Sequence, residues 1–469
     1  MKQQSGYLVS GLMALIVLSG SQQMIAQVPP AEVTGPVAAA QHGDPGRNSQ
    51  LNPNAIEVPG VRYIEEEFFI AGTANRYSTP EMQTGTIVDG GHAYRTRFIV
   101  RRPASAEHFN GTLVIEWNNV TGGRDLDIDW WQSGAHFMRE GYAFIAASPQ
   151  RVGVNHLREW SASRYGDLDV THGGMVTDDA LSYDIFSAIA KSVARTGESV
   201  PAGAPDILGG LRPELIVATG HSQSASRLAT YINHVHGLDP VFDGFMVHGG
   251  GGRIRDDQPI KVFKIMAETD MARRAADPQP DTAGFRQWEV AGTSHVDIPF
   301  ELEYARMVGL EAGERITQPQ PRSPVCERPT YSHVPFRYAM NAAFEHLRNW
   351  IISDVPPPVA PRLALLQSTP EVIFDRDAAG NIKGGIRLAA HAVPTATNTG
   401  MNSGDAFCRL YGSHEPFAEA ALRSLYPSQA AYLAAVNAAV EQNLASGFIL
   451  EADAEETKAQ ARASGVGAW

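Results

Sequence analysis

Cysteine is nearly absent from this chain: 469 residues carry two, Cys326 and Cys408. That excludes a disulfide-dense scaffold. No Cys/His cluster with zinc spacing and no HExxH string occur, so metal-centred chemistry is disfavoured. Positive charge is in deficit as well. Lys and Arg number 38 against 51 Asp and Glu, a formal net charge of −13. An acidic chain of this kind argues against nucleic acid or an anionic membrane surface as partner. Beyond the first twenty or so residues no apolar run is long enough to span a bilayer. No internal repeat stands out. Asp375-Arg376-Asp377 opens like a calcium loop, but Ile386 stands where an EF-hand needs its bidentate acid.

What is present is ordinary for a globular protein: 43% hydrophobic and 19% charged residues, enough for a sizeable core. The length suits two to three average domains, although α/β chains often run large as one. Residues 1–26 read as an export signal, with Lys2 in the basic region, Leu8 to Leu18 as the apolar region and small residues before or at Ala26. The expected location is therefore secreted or periplasmic. The apolar run is too short for a comfortable membrane anchor. Residues 27–54, rich in Pro, Gly, Ala and polar groups, read as a disordered leader. In an oxidising compartment the two cysteines read as a disulfide, worth on the order of 4 kcal/mol by loop closure. Two free buried thiols are the alternative.

One stretch organises the rest. Leu215-Ile216-Val217-Ala218 is an apolar run suited to a buried parallel strand. It turns through Gly220-His221-Ser222-Gln223-Ser224, then continues with Ala225, Leu228, Ala229 and Ile232 at helical spacing. Strand, tight turn and helix are the context that makes a G-x-S-x-G-like string a nucleophile elbow. Here the last glycine is replaced by Ser224. Ser222 would stand at the carboxyl end of the sheet, and the Gln223 amide at the helix N-terminus would face an oxyanion. The bland reading is a chance G-x-S in a chain rich in both residues.

Upstream, Tyr63 to Ile70 and His92 to Val100 alternate as two edge strands, antiparallel to each other. Thr112 to Trp117 is a buried strand running into Asn118-Asn119-Val120-Thr121-Gly122-Gly123. The backbone N–H of Asn118 or Asn119 is the candidate second oxyanion donor. A helix over Asp129 to Arg139 and a strand over Tyr142 to Ala147 follow. Pro149 to Thr177 is a long connection, expected to lie over the site because such loops are usually functional. Asp178 to Ala194 is an amphipathic helix. Downstream, Phe242 to Val247, Ile260 to Met266 and Phe285 to Val290 read as further strands. His248-Gly249-Gly250-Gly251-Gly252 resembles an oxyanion HGGG string but follows the wrong strand, so it reads as a loop. Arg337 to Ile352 is a helix, Val372 to Arg387 a hairpin turning at Asp377 to Gly380, and Ser428 to Ser446 a helix.

Ser222, Asp270 and His295 each follow a strand end, in the chain order of the α/β-hydrolase triad. Parallel neighbours put those ends on one rim. His295 would act as general base and Asp270 would fix its tautomer, with Glu268 as the alternative acid. Only 48 residues separate Ser222 from Asp270, and 25 more reach His295, which leaves no room for a cap domain there. Any lid must come from Pro149–Thr177 or from the C-terminal region, including Gly384-Gly385-Ile386-Arg387 with His391 and Pro394.

The strings VIEWNNVTGG (114–123), GHSQSA (220–225), AETD (267–270), QPDTAGFRQWEVAGTSH (279–295), GNIKGGIR (380–387) and FCRLYG (407–412) resemble an exported bacterial α/β-hydrolase domain-containing family among the esterase-like α/β-hydrolases. The resemblance implies a mostly parallel central sheet flanked by helices. It also implies a serine hydrolase of carboxylic esters that needs no cofactor, with a small-molecule ester as partner. The expected layout is a hydrolase domain over 55–355 with a mainly helical extension over 356–469 packed on it. An amidase or peptidase, a lactonase, and an idle binding protein on the same fold are the competing readings. Trp117, Trp130, Trp131, Trp160 and Tyr165 would suit an aromatic acyl site or a core. Oligomeric state is not set by the sequence.

Overall fold

A computed structural model of the chain describes Met1 and residues 27–322, 324–405 and 407–469. The expected export signal falls outside the described residues, save Met1. One nine-stranded sheet carries the fold. Its strands are β1 (Ala31–Thr34), β2 (Tyr63–Tyr77), β3 (Ile87–Pro103), β4 (Thr112–Trp117), β5 (Ala143–Ala147), β6 (Leu215–His221), β7 (Gly244–His248), β8 (Lys261–Ala267) and β9 (Phe285–Val290). They lie in the order β1-β2-β3-β5-β4-β6-β7-β8-β9. Neighbours from β5 to β9 are parallel, whereas β1, β2 and β3 add an antiparallel end.

The parallel strands are buried on both faces, which is why they read as continuous apolar runs. Alternate side chains still go to different layers. In β4, Leu113, Ile115 and Trp117 join the layer under α4 (Ser182–Lys191) and α5 (Gln223–His234). Val114 joins the opposite layer, under α1 (Ile128–Glu140) and α8 (Phe336–Ser353). Trp117, Trp130 and Trp131 are therefore core residues.

Apolar residues of the C-terminal region belong to the same core layer as α8: Ile386, Val436, Val440 and Ala454 join it. It holds the short ladders β10 (Leu365–Gln367) with β11 (Ile373–Phe374), and β12 (Ala396–Thr399) with β13 (Ser413–Pro416). Its helices are α9 (Ala389–Ala392), α10 (Cys408–Tyr411), α11 (Glu419–Leu425), α12 (Gln429–Ala445) and α13 (Glu451–Ala463). A disulfide joins Cys326 to Cys408. Among the described residues no helix is long and apolar enough to cross a membrane.

Two expectations are corrected. The leader over 27–54 is not disordered: β1 pairs antiparallel with β2, and Leu51 and Asn52 are fully buried. Val28, Val33 and Leu51 join the hydrophobic core, and polar bonds add to them. Buried Arg97 and Arg101 need acceptors, and the leader carbonyls of Leu51 and Asn52 accept from them at 2.8 and 2.9 Å. The stretch Pro149–Thr177 does not cover the serine either. It folds as α2 (Arg151–Trp160) and α3 (Ala162–Tyr165), burying Val154, Leu157, Tyr165 and Leu168 in the core layer that also holds Phe68 of β2 and Phe98 of β3. Arg164 pairs with Glu67 of β2, and Asp169 pairs backbone to backbone with Arg95 of β3.

Candidate active site

Ser222 sits between β6 and α5 with φ +60° and ψ −111°, a strained turn for a residue with a side chain. The surroundings are built to hold it. Its N–H donates to the His248 carbonyl at 2.9 Å. A side chain at Gly250 would put a carbon 2.4 Å from the Ser222 carbonyl, so the glycine run after β7 exists to let that loop approach the elbow. A side chain at Gly220 would put a carbon 3.2 Å from Ser224 Cβ, so strand and helix approach closely there.

Three distant residues meet here. His295 Nε2 lies 2.8 Å from Ser222 Oγ, and His295 Nδ1 lies 2.6 Å from Asp270 Oδ1. An ionised Asp270 only accepts, so Nδ1 carries the proton and Nε2 is free to accept from the serine hydroxyl. Asp270 opens the turn after β8 within α6 (Glu268–Met271), and its Oδ2 accepts the Ala267 N–H at 2.8 Å. Glu268 is held elsewhere. Its Oε1 takes Arg376 at 2.5 Å and its Oε2 takes the Gly292 N–H at 3.2 Å. Burial pushes its carboxyl up, against the pull of Arg376.

The oxyanion side departs from expectation. The Asn118 N–H donates to Ala147 O at 3.1 Å and the Asn119 N–H to Leu126 O at 2.9 Å. Neither is free, because Asn118 continues the β4 ladder onto β5 and Asn119 closes the loop as a bridge to Leu126. Asn119 serves as a brace instead: its side-chain amide donates to the His221 carbonyl at 2.9 Å. The Gln223 N–H, at the first turn of α5, has no acceptor among the described residues. The Gln223 side chain is locked by a paired amide contact with Gln150, at 2.6 and 3.1 Å.

A second Asp–His pair lies behind the first and was not anticipated from sequence. His248 Nδ1 is 2.7 Å from Asp129 Oδ1. Asp129 also takes the Thr219 hydroxyl, and its N–H donates to Glu116 at 2.9 Å. Burial, reinforced by Asp129 and Asp127, pushes the Glu116 carboxyl well up. Between the two pairs lies His221, its ring 4.3 Å from each of His248 and His295. Burial, then the neighbouring histidines, holds His221 well below its ordinary pKa, so it is a neutral ring.

Two cavities meet at Ser222, His295 and Leu410. One, about 200 Å³, is walled by Ile128, Phe300, Tyr304, Phe407 and Tyr411. The other, about 740 Å³, carries Arg227, Arg273, Arg274 and Arg409. Leu410, Phe407 and Tyr411 come from α10 and its approach, so the C-terminal region does wall the site. The stretch around Gly385 does not, because Ile386 is drawn into a parallel bridge with Val290 of β9. A further cavity of about 770 Å³ opens between α1, α7 (Ile298–Glu311), α8 and α13 and touches none of the three.

A mostly parallel sheet with a serine at the β6–α5 turn and a histidine after β9 defines an α/β-hydrolase-type protein. The chain belongs to the alpha/beta hydrolase domain family, whose model matches residues 33–459. No curated protein matches it by sequence. Among solved structures it is similar to a CE15 glucuronoyl esterase from Teredinibacter turnerae T7901, at TM-score 0.26 and 10% identity over 64% of this chain and 71% of that one. It is also similar to a putative acetyl xylan esterase from Bacteroides fragilis NCTC 9343, at TM-score 0.24 and 10% identity over 45% of this chain and 61% of that one. The activities in those names belong to those proteins.

Proposed function

We propose that the protein is an exported serine hydrolase of the carboxylesterase type, cleaving a small-molecule ester through Ser222, His295 and Asp270. The observation that carries this is the unbroken hydrogen-bonded chain from Ser222 Oγ to His295 to Asp270, at the point where two cavities meet. Oγ attacks the ester carbonyl carbon while His295 Nε2 takes its proton. The Asp270 carboxylate stabilises the imidazolium. The Gln223 N–H, at the positive end of α5, faces the oxyanion, and the second donor comes from Gly122 in the loop after β4, which lines the smaller cavity, since the Thr121 N–H is taken by Asn119 Oδ1 at 2.8 Å. The intermediate collapses and His295 returns the proton to the departing alcohol, leaving an acyl-serine. Water, deprotonated by His295, then attacks the acyl carbon. The acid leaves and Ser222 recovers its proton.

Glu268 in this reading supports the rim through Arg376 and Gly292 and is not the triad acid. Export fits a chain whose two cysteines are joined.

The test is hydrolysis of p-nitrophenyl esters from acetate to octanoate by the mature protein beside Ser222→Ala. Turnover with a burst in the wild type, and none above background in Ser222→Ala, is the expected result. Equal rates near background in both would sink the reading.

A further inference from the structure

The two cavities beside Ser222 differ sharply in charge. The smaller one has a single guanidinium, Arg322, which is already engaged by Glu301. The larger one has four, drawn from three separate parts of the chain: Arg227 from α5, Arg273 and Arg274 from the segment after α6, and Arg409 from α10. Its one carboxylate is Asp270, which is committed to His295 and to the Ala267 N–H. Arg227 is within 3.6 Å of Asp179. Among the described residues, no carboxylate lies within ion-pair distance of Arg273, Arg274 or Arg409. In a chain with a net charge of −13, this is a local inversion of sign at the mouth of the site.

Arg274 is also partly oriented. It is half-buried, and its Nε donates to the Gly251 carbonyl at 3.1 Å, which leaves the terminal amino groups of the fork unspent. A planar guanidinium with free N–H groups matches a carboxylate in geometry and charge. The smaller cavity has the opposite character. At about 200 Å³ it is slightly larger than the roughly 150 Å³ apolar cavity that holds a benzene ring.

We infer that the substrate is an ester bearing a carboxylate, with its anionic arm in the arginine-lined cavity and a small apolar arm, of one ring or a short chain, among Phe300, Tyr304, Phe407 and Tyr411. This rests on the serine-hydrolase reading and names the substrate class for it. The arginines hold the anionic arm, and the reacting carbonyl is thereby set between Ser222 Oγ and the Gln223 N–H.

The experiment uses matched ester pairs that differ in one carboxylate. In one pair the charge is on the acyl arm: mono-4-nitrophenyl adipate against 4-nitrophenyl hexanoate. In the other it is on the alcohol arm: 4-acetoxybenzoate against phenyl acetate. One pair should favour its anionic member in kcat/KM by about tenfold or more, the scale of hydrogen bonds to a charged group. That ratio should fall towards one in the Arg273→Gln/Arg274→Gln/Arg409→Gln triple variant and shrink as salt rises. A ratio at or below one in both pairs, with the neutral esters turned over, overturns the inference and leaves the hydrolase reading standing. No turnover of any ester overturns the hydrolase reading. In that event, calorimetric titration of Ser222→Ala with monoethyl adipate decides the cavity's preference. Binding that the triple substitution abolishes supports an anion site, and its absence removes the inference.

Discussion

Two buried Asp–His pairs, separated by the thickness of one imidazole ring, stand in opposite surroundings in this fold. Asp270 and His295 stand at the rim, after β8 and β9, and the free nitrogen of His295 reaches the Ser222 hydroxyl at 2.8 Å. Asp129 and His248 have the same geometry, at 2.7 Å. There, however, the imidazole lies flat on Phe336, 4.9 Å away, and the Asp129 carboxylate accepts the Thr219 hydroxyl while the Asp129 N–H donates to Glu116. Among the described residues no hydroxyl is hydrogen-bonded to the second histidine. The pairing alone does not make a base. In the proposed reading, what does is the strained serine that the β6–α5 turn presents to one histidine and hides from the other.

The comparison breaks most visibly under substitution. Ser222→Ala or His295→Ala should lower kcat by about 10⁶-fold, and Asp270→Asn by about 10⁴-fold, as in other serine triads. Asp129→Asn should leave esterase activity within about tenfold and instead cost about 3–5 kcal/mol of stability, the toll of breaking a buried pair on one side. Ester kinetics beside urea unfolding of each variant separates the two outcomes. If Asp129→Asn abolished turnover in a stably folded protein, the interior pair would belong to the chemistry.

The disulfide should act on the fold more than on the reaction. Cys326 and Cys408 are 82 residues apart, and a loop of that size gives about 4 kcal/mol by chain entropy. Denaturant midpoints of the Cys326→Ser/Cys408→Ser protein check this. Because Cys408 begins the α10 wall, chain-length preference should broaden in that variant while the triad stays competent.

Buried histidines away from the site should contribute to the acid limit of stability. His236, His391 and His414 are each pushed down to about 4, by burial in every case and by neighbouring His333 as well for His414. A ring held neutral in the fold but protonating near 6.5 when unfolded costs no stability above that value. Stability is lost as pH falls from about 6.5 towards 4. For His391, whose Nε2 meets the Ile382 carbonyl at 2.8 Å, the loss from pH 7 to pH 5 should be about 1–2 kcal/mol. Unfolding curves of wild type and His391→Gln at both pH values measure it, and an equal pH dependence in the two would contradict the assignment.

The smallest effect is expected at the ring between the pairs. Neither nitrogen of His221 has a hydrogen-bond partner among the described residues, so it acts as packing and not as a proton relay. His221→Phe keeps a ring in place and should change kcat/KM by less than about tenfold, or 1.4 kcal/mol. A larger loss with an altered pH profile would make it a positioning residue for His295.

The parts that sequence conveys well are those with one local cause. The strands β4 to β9 are apolar runs because both faces are covered, and Ser222, Asp270 and His295 each follow such a run. What escapes is set by partners far away in the chain. The leader looks disordered by composition because it buries only a few apolar residues, Val28, Val33 and Leu51, and the rest of its ordering comes from distant Arg97 and Arg101. Asn118 and Asn119 sit in the right loop, but whether their amides are free depends on Ala147 and Leu126. The apolar pocket is assembled from Ile128, Phe300, Tyr304, Phe407 and Tyr411, which no single window contains. His248 reads as part of a loop because its partner, Asp129, lies 119 residues upstream.

The central claim is that Ser222 is a nucleophile activated by His295. Labelling with a fluorophosphonate probe, followed by mapping of the modified peptide by mass spectrometry, tests it most directly. The account predicts adduct on Ser222 in the wild type, with labelling slowed by orders of magnitude in His295→Ala. No adduct at Ser222, or equal labelling of the two proteins, would contradict it.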